Sequence, residues 1–173
     1  MEPVVIDNEK AVPFEVLYDT YFDRINRYLR YRAPSVWDAD DLTATVFTRA
    51  LEKYHLFRGD APVVVWLFRI AHNALVDHLR TGKRYVLADS GEIPGGAGCG
   101  EPEEHILKLE ELGRLRDVLD SLMPVQRDVI TLRYVGELKF SQIARVLGKT
   151  DASVRMIHHR ALKAVRKGLH GKE

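Results

Sequence analysis

Apolar residues recur at steps of three and four positions along most of the chain, which is the spacing of amphipathic helices. This spacing predicts a first helix from Pro13 to about Arg32, with an apolar face made of Phe14, Leu17, Tyr18, Tyr21, Ile25 and Tyr28. A second helix is expected from near Asp38, whose carboxylate can cap it. After a turn at Arg58–Pro62, a third helix is expected to run to about Arg80. Strand patterns are nearly absent, so the sequence predicts an all-α protein.

The segment at residues 81–104 breaks this helical pattern. It holds six glycines and two prolines, with few large apolar residues after Leu87, which is the composition of a flexible linker. Beyond it, helices are predicted from Glu103 to about Leu122 and from Pro124 onward, followed by a closing pair. We therefore expect two small helical domains that move relative to one another, at residues 1–81 and 103–173, with a linker at 82–102.

Composition narrows the class of protein. Cys99 in the linker is the only cysteine, which excludes an internal disulfide and favours a reducing cytoplasm. No basic and apolar leader opens the chain, and the longest apolar run, Ala61–Phe68, is too short to span a bilayer, so neither secretion nor membrane insertion is expected. Histidine spacing indicates no metal site, and the chain has no phosphate-binding loop or nucleophile–base pair. We therefore expect no metal, no cofactor and no enzymatic activity.

The closing pair, "SQIARVLGKTDASVRMIHHRALKAVRK" (residues 141–167), has the pattern of a helix-turn-helix. That motif needs a small residue at the helix crossing, a glycine in the turn and an apolar anchor on the second helix. Ala144, Gly148 and Val154 supply these at offsets 0, +4 and +10. The pattern therefore predicts a helix-turn-helix in the second domain.

The second helix of this pair separates into two faces at about 100° per residue. Its apolar stripe comprises Val154, Ile157, Ala161 and Val165. The opposite face is almost wholly cationic and comprises Arg155, Met156, His159, Arg160, Lys163, Arg166 and Lys167. No acidic residue occurs between Asp151 and Glu173, whereas a solvated face normally mixes both signs. The pattern favours contact with DNA, and an ordinary solvated amphipathic helix is the alternative.

Charge alternates along the chain, although the net charge is only +1. The net charge is −3 over residues 1–60, +3 over 61–84, −6 over 85–121 and +7 over 122–173. Two basic blocks could therefore contact nucleic acid while acidic surface faces another partner. Chance clustering on a solvated surface is the alternative.

The third helix carries a second mixed face. One stripe of it holds Trp66, Arg69, Asn73, Asp77 and Arg80. A flat aromatic ring beside arginine and asparagine suits unstacked bases. In the alternative, Trp66 packs inward and Asp77 pairs with Arg80 or Lys83.

The second helix opens with more acidic residues than a cap requires. Asp38, Asp40 and Asp41 all lie in its first turn, where acidic side chains stabilise the helix dipole. With Leu42 and Phe47 behind them, they also suit a protein partner with a basic surface.

Taken in order, four segments resemble one protein family: "FEVLYDTYFDRINRYL", "DADDLTATVFTRAL", "WLFRIAHNALVDHLR" and "MPVQRDVITLRYVGELKFSQIARVLGKTDASVRMIHHRAL". The chain is similar to the extracytoplasmic-function (ECF) class of the sigma-70 family, dissociable promoter-specificity subunits of bacterial RNA polymerase. The resemblance covers about Phe14–Arg80, as region 2, and Leu107–Arg166, as region 4.

The resemblance implies roles for individual residues. Those implied to bind the clamp helices of the largest polymerase subunit are Asp38, Asp40, Asp41, Leu42 and Phe47. Those implied to open and read the −10 promoter element are Trp66, Arg69, Asn73, Asp77 and Arg80. The loop Tyr54–Asp60 matches the segment that captures a flipped base in the family. The residues implied to read the −35 element are Ser153, Arg155, Met156, His159, Arg160 and Lys163.

Further partners follow from the same resemblance. It implies contact with the flap of the second large polymerase subunit and allows for an anti-sigma factor. Ala44-Thr45, in the segment implied to bind polymerase, departs from the commoner family residues. Ser141-Gln142 and "RMIHH" also depart from them, so no known −35 sequence transfers to this chain. An autonomous helix-turn-helix repressor remains the alternative function, and it would bind a palindrome unaided as a symmetric dimer.

Overall fold

A computed structural model describes residues 13–82 and 117–170. Within these ranges the chain forms α1 (Phe14–Arg32), α2 (Val36–Lys53), α3 (Val63–Gly82), α4 (Pro124–Tyr134), α5 (Phe140–Leu147) and α6 (Asp151–His170). A 3-10 turn at Tyr54–Leu56 follows α2, and a further helical stretch covers residues 117–121. No strand occurs in the described ranges, so the predicted all-α class is confirmed. The predicted linker with Cys99 lies outside them.

The first three helices pack in pairs around an apolar core. Tyr28 and Leu29 of α1, Val46 of α2, and Leu67 and Phe68 of α3 are buried in it. The start of α2 differs from the prediction. Its cap is the hydroxyl of Ser35, which accepts a hydrogen bond from the backbone N–H of Asp38 at 3.1 Å. The helix therefore begins two residues earlier than expected, because a serine before the acidic turn takes the capping position.

The last two helices form the predicted helix-turn-helix. Gly148 ends α5 in the left-handed conformation, with φ 63°, which is the conformation a glycine in this turn permits. The side chain of Gln142 accepts a hydrogen bond from the Lys139 backbone N–H at 2.9 Å and closes the start of α5. Val154 and Ala161 of α6 are fully buried, as the sequence pattern predicts.

The two halves of the chain pack against each other. Residues of the second half, including Val129, Leu132 and Ile143, belong to the same buried apolar cluster as Phe68 and Leu75 of the first. Elements of the second half therefore cover part of the surface of α1 and α3. The structure shows one packed arrangement, so the expected movement of the halves stays a prediction, as do the predicted domain boundaries.

A glycine allows a close approach between the halves. A β-carbon on Gly136 would lie 2.8 Å from the Leu132 carbonyl oxygen and 2.9 Å from Cε1 of Phe68. On the other side of this contact, Arg24 donates a hydrogen bond to the Gly136 carbonyl oxygen at 2.7 Å. The Glu137 carboxylate, next along the chain, pairs with Arg27 at 2.8 Å. The loop after α4 thus contacts α1 and α3 through the Gly136 backbone and the Glu137 side chain.

A buried ion pair also joins the halves. Nη2 of Arg32 lies 2.6 Å from Oδ1 of Asp128, and the side chains are only 5% and 13% exposed. His72 lies beside this pair, with Nε2 4.0 Å from Asp128 Oδ2 and Nδ1 3.3 Å from the Tyr28 hydroxyl. Burial lowers the pKa of His72; the Asp128 carboxylate opposes this, and Arg32 reinforces it. His72 is therefore held mainly in its neutral form at neutral pH.

Replacing Gly136 by alanine should destabilise the packed arrangement. The new methyl group would overlap Leu132 and Phe68, so we expect a loss of about 1–3 kcal/mol in the free energy of unfolding, measured by urea denaturation. Gly82→Ala is the matched control, because nothing lies within 4 Å of a β-carbon built there. Equal stabilities for the two variants would contradict the close approach of the halves.

The free energy of unfolding should fall as the pH drops below about 6.5, the ordinary histidine pKa. Below this pH, His72 takes up a proton in the unfolded chain but resists it in the folded chain, so acid favours the unfolded state. Above this pH, His72 is neutral in both states and does not reduce the free energy of unfolding. Denaturant unfolding between about pH 7.5 and 5.5 measures the slope. His72→Gln should flatten it. Burial also lowers the pKa of His158, so His158→Gln serves as the comparison for a site outside the contact between the halves.

Candidate nucleic-acid interface

The cationic face of α6 is exposed as the sequence predicts. Among the residues expected at the −35 element, Ser153 is half-buried, and the exposed ones are Arg155, Met156, His159, Arg160 and Lys163. The buried side of the helix rests on α4 and α5 through Val154, Ile157 and Ala161. The packing therefore turns a row of positive side chains away from the protein.

Arg155 is the most constrained side chain of this face. Its Nε donates a hydrogen bond to the Asp151 carboxylate one turn earlier, and its guanidinium carbon lies 4.8 Å from the centre of the Phe140 ring. Arg133 lies at the same distance from that ring. The N-terminal end of α6 is thus ordered by contacts within the second half.

His158 belongs to the supporting structure. Its Nε2 lies 3.0 Å from the Tyr134 hydroxyl, and its ring meets Phe140 edge-on at 5.0 Å. Burial, with Arg133 and His159 adding to it, lowers the pKa of His158. Its half-buried position beside these two rings agrees with a supporting role.

The mixed face of α3 is largely open. Arg69, Asn73, Asp77 and Arg80 are exposed, and Asp77 pairs with Arg80 at 3.3 Å, which was one of the alternatives for this stripe. Trp66 is half-buried. Its ring centre lies 5.1 Å from that of Phe57 and 6.2 Å from that of Tyr54. Trp66, Phe57 and Tyr54 thus form an aromatic cluster at the N-terminal end of the mixed face.

A cavity of about 410 Å³ opens beside this cluster. Its lining comes from the loop after α2, from α3 and from one residue of the second half, and comprises Leu56, Phe57, Arg58, Asp60, Ala61, Val65, Trp66, Arg69 and Arg145. Gly59 lets the loop turn, with φ 74°. Aromatic walls with a guanidinium at the rim are suited to a flat, unstacked base.

Arg145 of α5 contributes to the lining of this cavity. Its carbonyl oxygen accepts a hydrogen bond from Arg69 at 2.5 Å, and its guanidinium approaches the Asp60 carbonyl oxygen at 3.5 Å. Arg145 is not among the predicted site residues, because its position in the sequence of α5 gives no sign that it faces the first half of the chain. The structure therefore brings together two arginines that lie 76 positions apart.

The acidic start of α2 is partly engaged within the protein. Asp38 accepts a hydrogen bond from Ser35 at 2.7 Å and lies 3.3 Å from His78. Hydrogen bonds from Asn26 and Arg30, at 3.1 and 3.0 Å, lower the pKa of exposed Asp40.

Near its start, the outer face of α2 presents a free acid and a large apolar side chain. Exposed Asp41 has no hydrogen bond or ion pair among the described residues. Trp37, four positions earlier on the same face, is 82% exposed. This tryptophan is not among the predicted site residues, although its position just before the acidic residues was an available signal.

Leu42 and Phe47 require a correction. Both were expected to contact a partner, but they are only 6% and 5% exposed and lie in the apolar core. Phe47 packs against Tyr18 and Phe22, with ring centres 4.8 and 5.8 Å apart. These two side chains therefore hold α2 in place from beneath, and the outer surface of the helix consists of other residues.

Comparison with known proteins agrees with the order of these sites. The family model "Sigma-70 region 2" matches residues 17–85, and "Sigma-70, region 4" matches residues 118–167. The ferric citrate uptake sigma factor FecI of Escherichia coli (strain K12) is 31% identical over 84% of this chain and 84% of its own length. The chain belongs to the sigma-70 family.

Similar sigma factors include members of the ECF class. The ECF RNA polymerase sigma factor BldN of Streptomyces coelicolor is 30% identical over 90% of this chain, which spans 60% of the length of BldN. RNA polymerase sigma factor YlaC of Bacillus subtilis is 29% identical over 90% of this chain and 91% of its own length. The resemblance to the ECF class is confirmed.

Solved structures share the fold of this sigma factor. The sigma factor RpoE, in its complex with the anti-sigma factor NepR from Bartonella quintana, matches with a TM-score of 0.72 at 17% identity, covering 92% of this chain and 98% of RpoE. CnrH, in complex with the cytosolic domain of CnrY, matches with a TM-score of 0.69 at 23% identity, covering 92% and 89%. At such identities the likeness concerns the fold.

No helix in residues 13–82 and 117–170 is long and apolar enough to cross a membrane. Over the same part of the chain, no three histidine, cysteine or acidic side chains are grouped so as to hold a metal ion.

Proposed function

We propose that this sigma factor directs RNA polymerase core enzyme to specific promoters and assists strand opening at the −10 element, without enzymatic activity of its own. The observation that carries the proposal is the aromatic-walled cavity with Arg69 in its lining, in one chain with a cationic helix-turn-helix. Such a cavity suits an unpaired base, whereas a repressor that reads duplex DNA has no need of one. The repressor alternative is therefore not favoured.

The outer face of α2 is the proposed contact with core polymerase. It presents Asp40, Asp41 and Trp37 to solvent, whereas Leu42 and Phe47 support it from the core. Exposed carboxylates beside a tryptophan suit a basic partner surface that also offers an apolar pocket. Asp41 is the most informative residue to substitute, because no partner within the described part of the chain competes for it.

The packed arrangement supports weak DNA binding by the free chain. Arg145 lines one side of the cavity, and its carbonyl oxygen engages the Arg69 guanidinium. We propose that α5 moves away when a base enters the cavity, and the contacts that join the two halves oppose that movement. We propose that binding to core polymerase separates the halves, so that region 2 and region 4 reach their two promoter elements.

Two partners beyond DNA belong to this proposal. Polymerase contact through the clamp helices and the flap follows from the family, and an anti-sigma factor is a further candidate. The solved relative RpoE is bound to an anti-sigma factor, and its fold covers 92% of this chain. A cytoplasmic location beside polymerase is part of the same proposal.

Replacing Asn73 by alanine should slow promoter opening about tenfold, because a side chain suited to an unpaired base is lost from an exposed position. The measurement is run-off transcription by reconstituted holoenzyme on a promoter taken from upstream of the protein's own operon. A template already unpaired at −10 should restore activity. If wild-type holoenzyme initiates no better than core enzyme on any such promoter, the proposed function is wrong.

Reversing Asp41 to lysine should weaken binding to core polymerase by about tenfold or more, because an unpaired exposed carboxylate becomes a charge of the same sign as the partner. Titration of labelled sigma factor with core enzyme measures the dissociation constant. Asp19→Lys, a charge reversal at an exposed position of α1, is the matched control. Equal affinities for both variants would remove α2 from the docking surface.

A further inference from the structure

Arg155 is restrained before any DNA is present. The Asp151 carboxylate holds its Nε, and the Phe140 ring lies against its guanidinium at 4.8 Å. The terminal amino groups of Arg155 make no hydrogen bond within the described residues. A guanidinium held through Nε keeps both terminal amino groups free to donate in parallel.

Phe140 is itself held in place. Arg133 lies 4.8 Å from the same ring and is secured by a hydrogen bond of 2.8 Å to the Leu138 carbonyl oxygen. His158 meets the ring edge-on at 5.0 Å. The surface against which Arg155 rests is therefore ordered by α4 and α6 together, and it does not depend on DNA for its position.

Asp151 can hold Arg155 because α6 is capped by Thr150 instead. The hydroxyl of Thr150 accepts a hydrogen bond from the Ser153 backbone N–H at 3.2 Å. An exposed ion pair one helical turn apart adds little to stability, so the contact between Asp151 and Arg155 has no strong structural need. An acidic residue on a DNA-facing helix end also repels phosphate, which a purely electrostatic binder would avoid.

We propose that Asp151 and Phe140 are positioning residues that orient Arg155 to read a guanine in the upstream promoter element. The proposal rests on the proposed function, in which α6 enters the major groove. Guanine presents two acceptors there, O6 and N7, which match two parallel donors of one arginine. Asp151 fixes the direction of those donors, and its charge disfavours binding at sites where no base contact compensates.

The test uses reconstituted holoenzyme on a library of −35 sequences. Arg155→Ala should change the preferred sequence at one base pair. Asp151→Asn should reduce discrimination for guanine at that same base pair about tenfold, since a bidentate pair discriminates at roughly that level. Affinity for non-preferred sites should be unchanged or higher, because a repulsive charge is lost. Asp151→Glu should retain most of the discrimination, and Lys163→Ala should weaken all sequences alike.

Several outcomes would overturn the positioning role. Uniformly tighter binding by Asp151→Asn, with discrimination intact, would make Asp151 a repulsive charge only. A lower unfolding midpoint with unchanged preference would make it a structural residue. Phe140→Leu removes the ring and provides a second test of the positioning role. The stability of this variant is measured alongside its sequence preference. If Arg155→Ala leaves the preference unchanged, the −35 role of α6 fails as well, which separates that failure from failure of Asp151 alone.

Discussion

The contact between the two halves is the constraint on which this arrangement depends. The Arg32–Asp128 pair lies almost fully buried within it, and Nε and Nη1 of Arg32 have no hydrogen-bond partner among the described residues. A pair with this much unsatisfied charge adds little net stability, but loss of either partner would leave an isolated buried charge. It therefore specifies how the halves fit together, while the shared apolar core supplies most of the stabilisation.

The same contact stabilises the free chain but opposes the proposed function. Packing α5 on α3 buries apolar surface, and it also places Arg145 at one side of the cavity that suits an unpaired base. The free chain is stabilised by contacts that the proposed promoter complex must lose. A partner that binds the separated halves more tightly than the packed ones can shift this balance, and only by its difference in affinity.

Several polar residues serve the fold as well as the proposed interface. Asp38 supports the start of α2 and pairs with His78, and Asp40 is held by Asn26 and Arg30. Such engagement orders the side chains before a partner arrives, which reduces the entropy lost on binding. The same reasoning applies to Arg155 on α6. Order at these positions is therefore compatible with a binding role.

Local features of the sequence determined the helices, the helix-turn-helix and the exposed faces of α3 and α6, because periodicity and turn residues act over a few positions. The order of motifs also identified the family. Only the tertiary structure decided what covers each face. It placed Leu42 and Phe47 in the core, and it joined Arg24 to Gly136 and Arg69 to Arg145, at separations of 112 and 76 residues. Periodicity shows that a side of a helix is polar or apolar, but the partner across it depends on how distant segments pack.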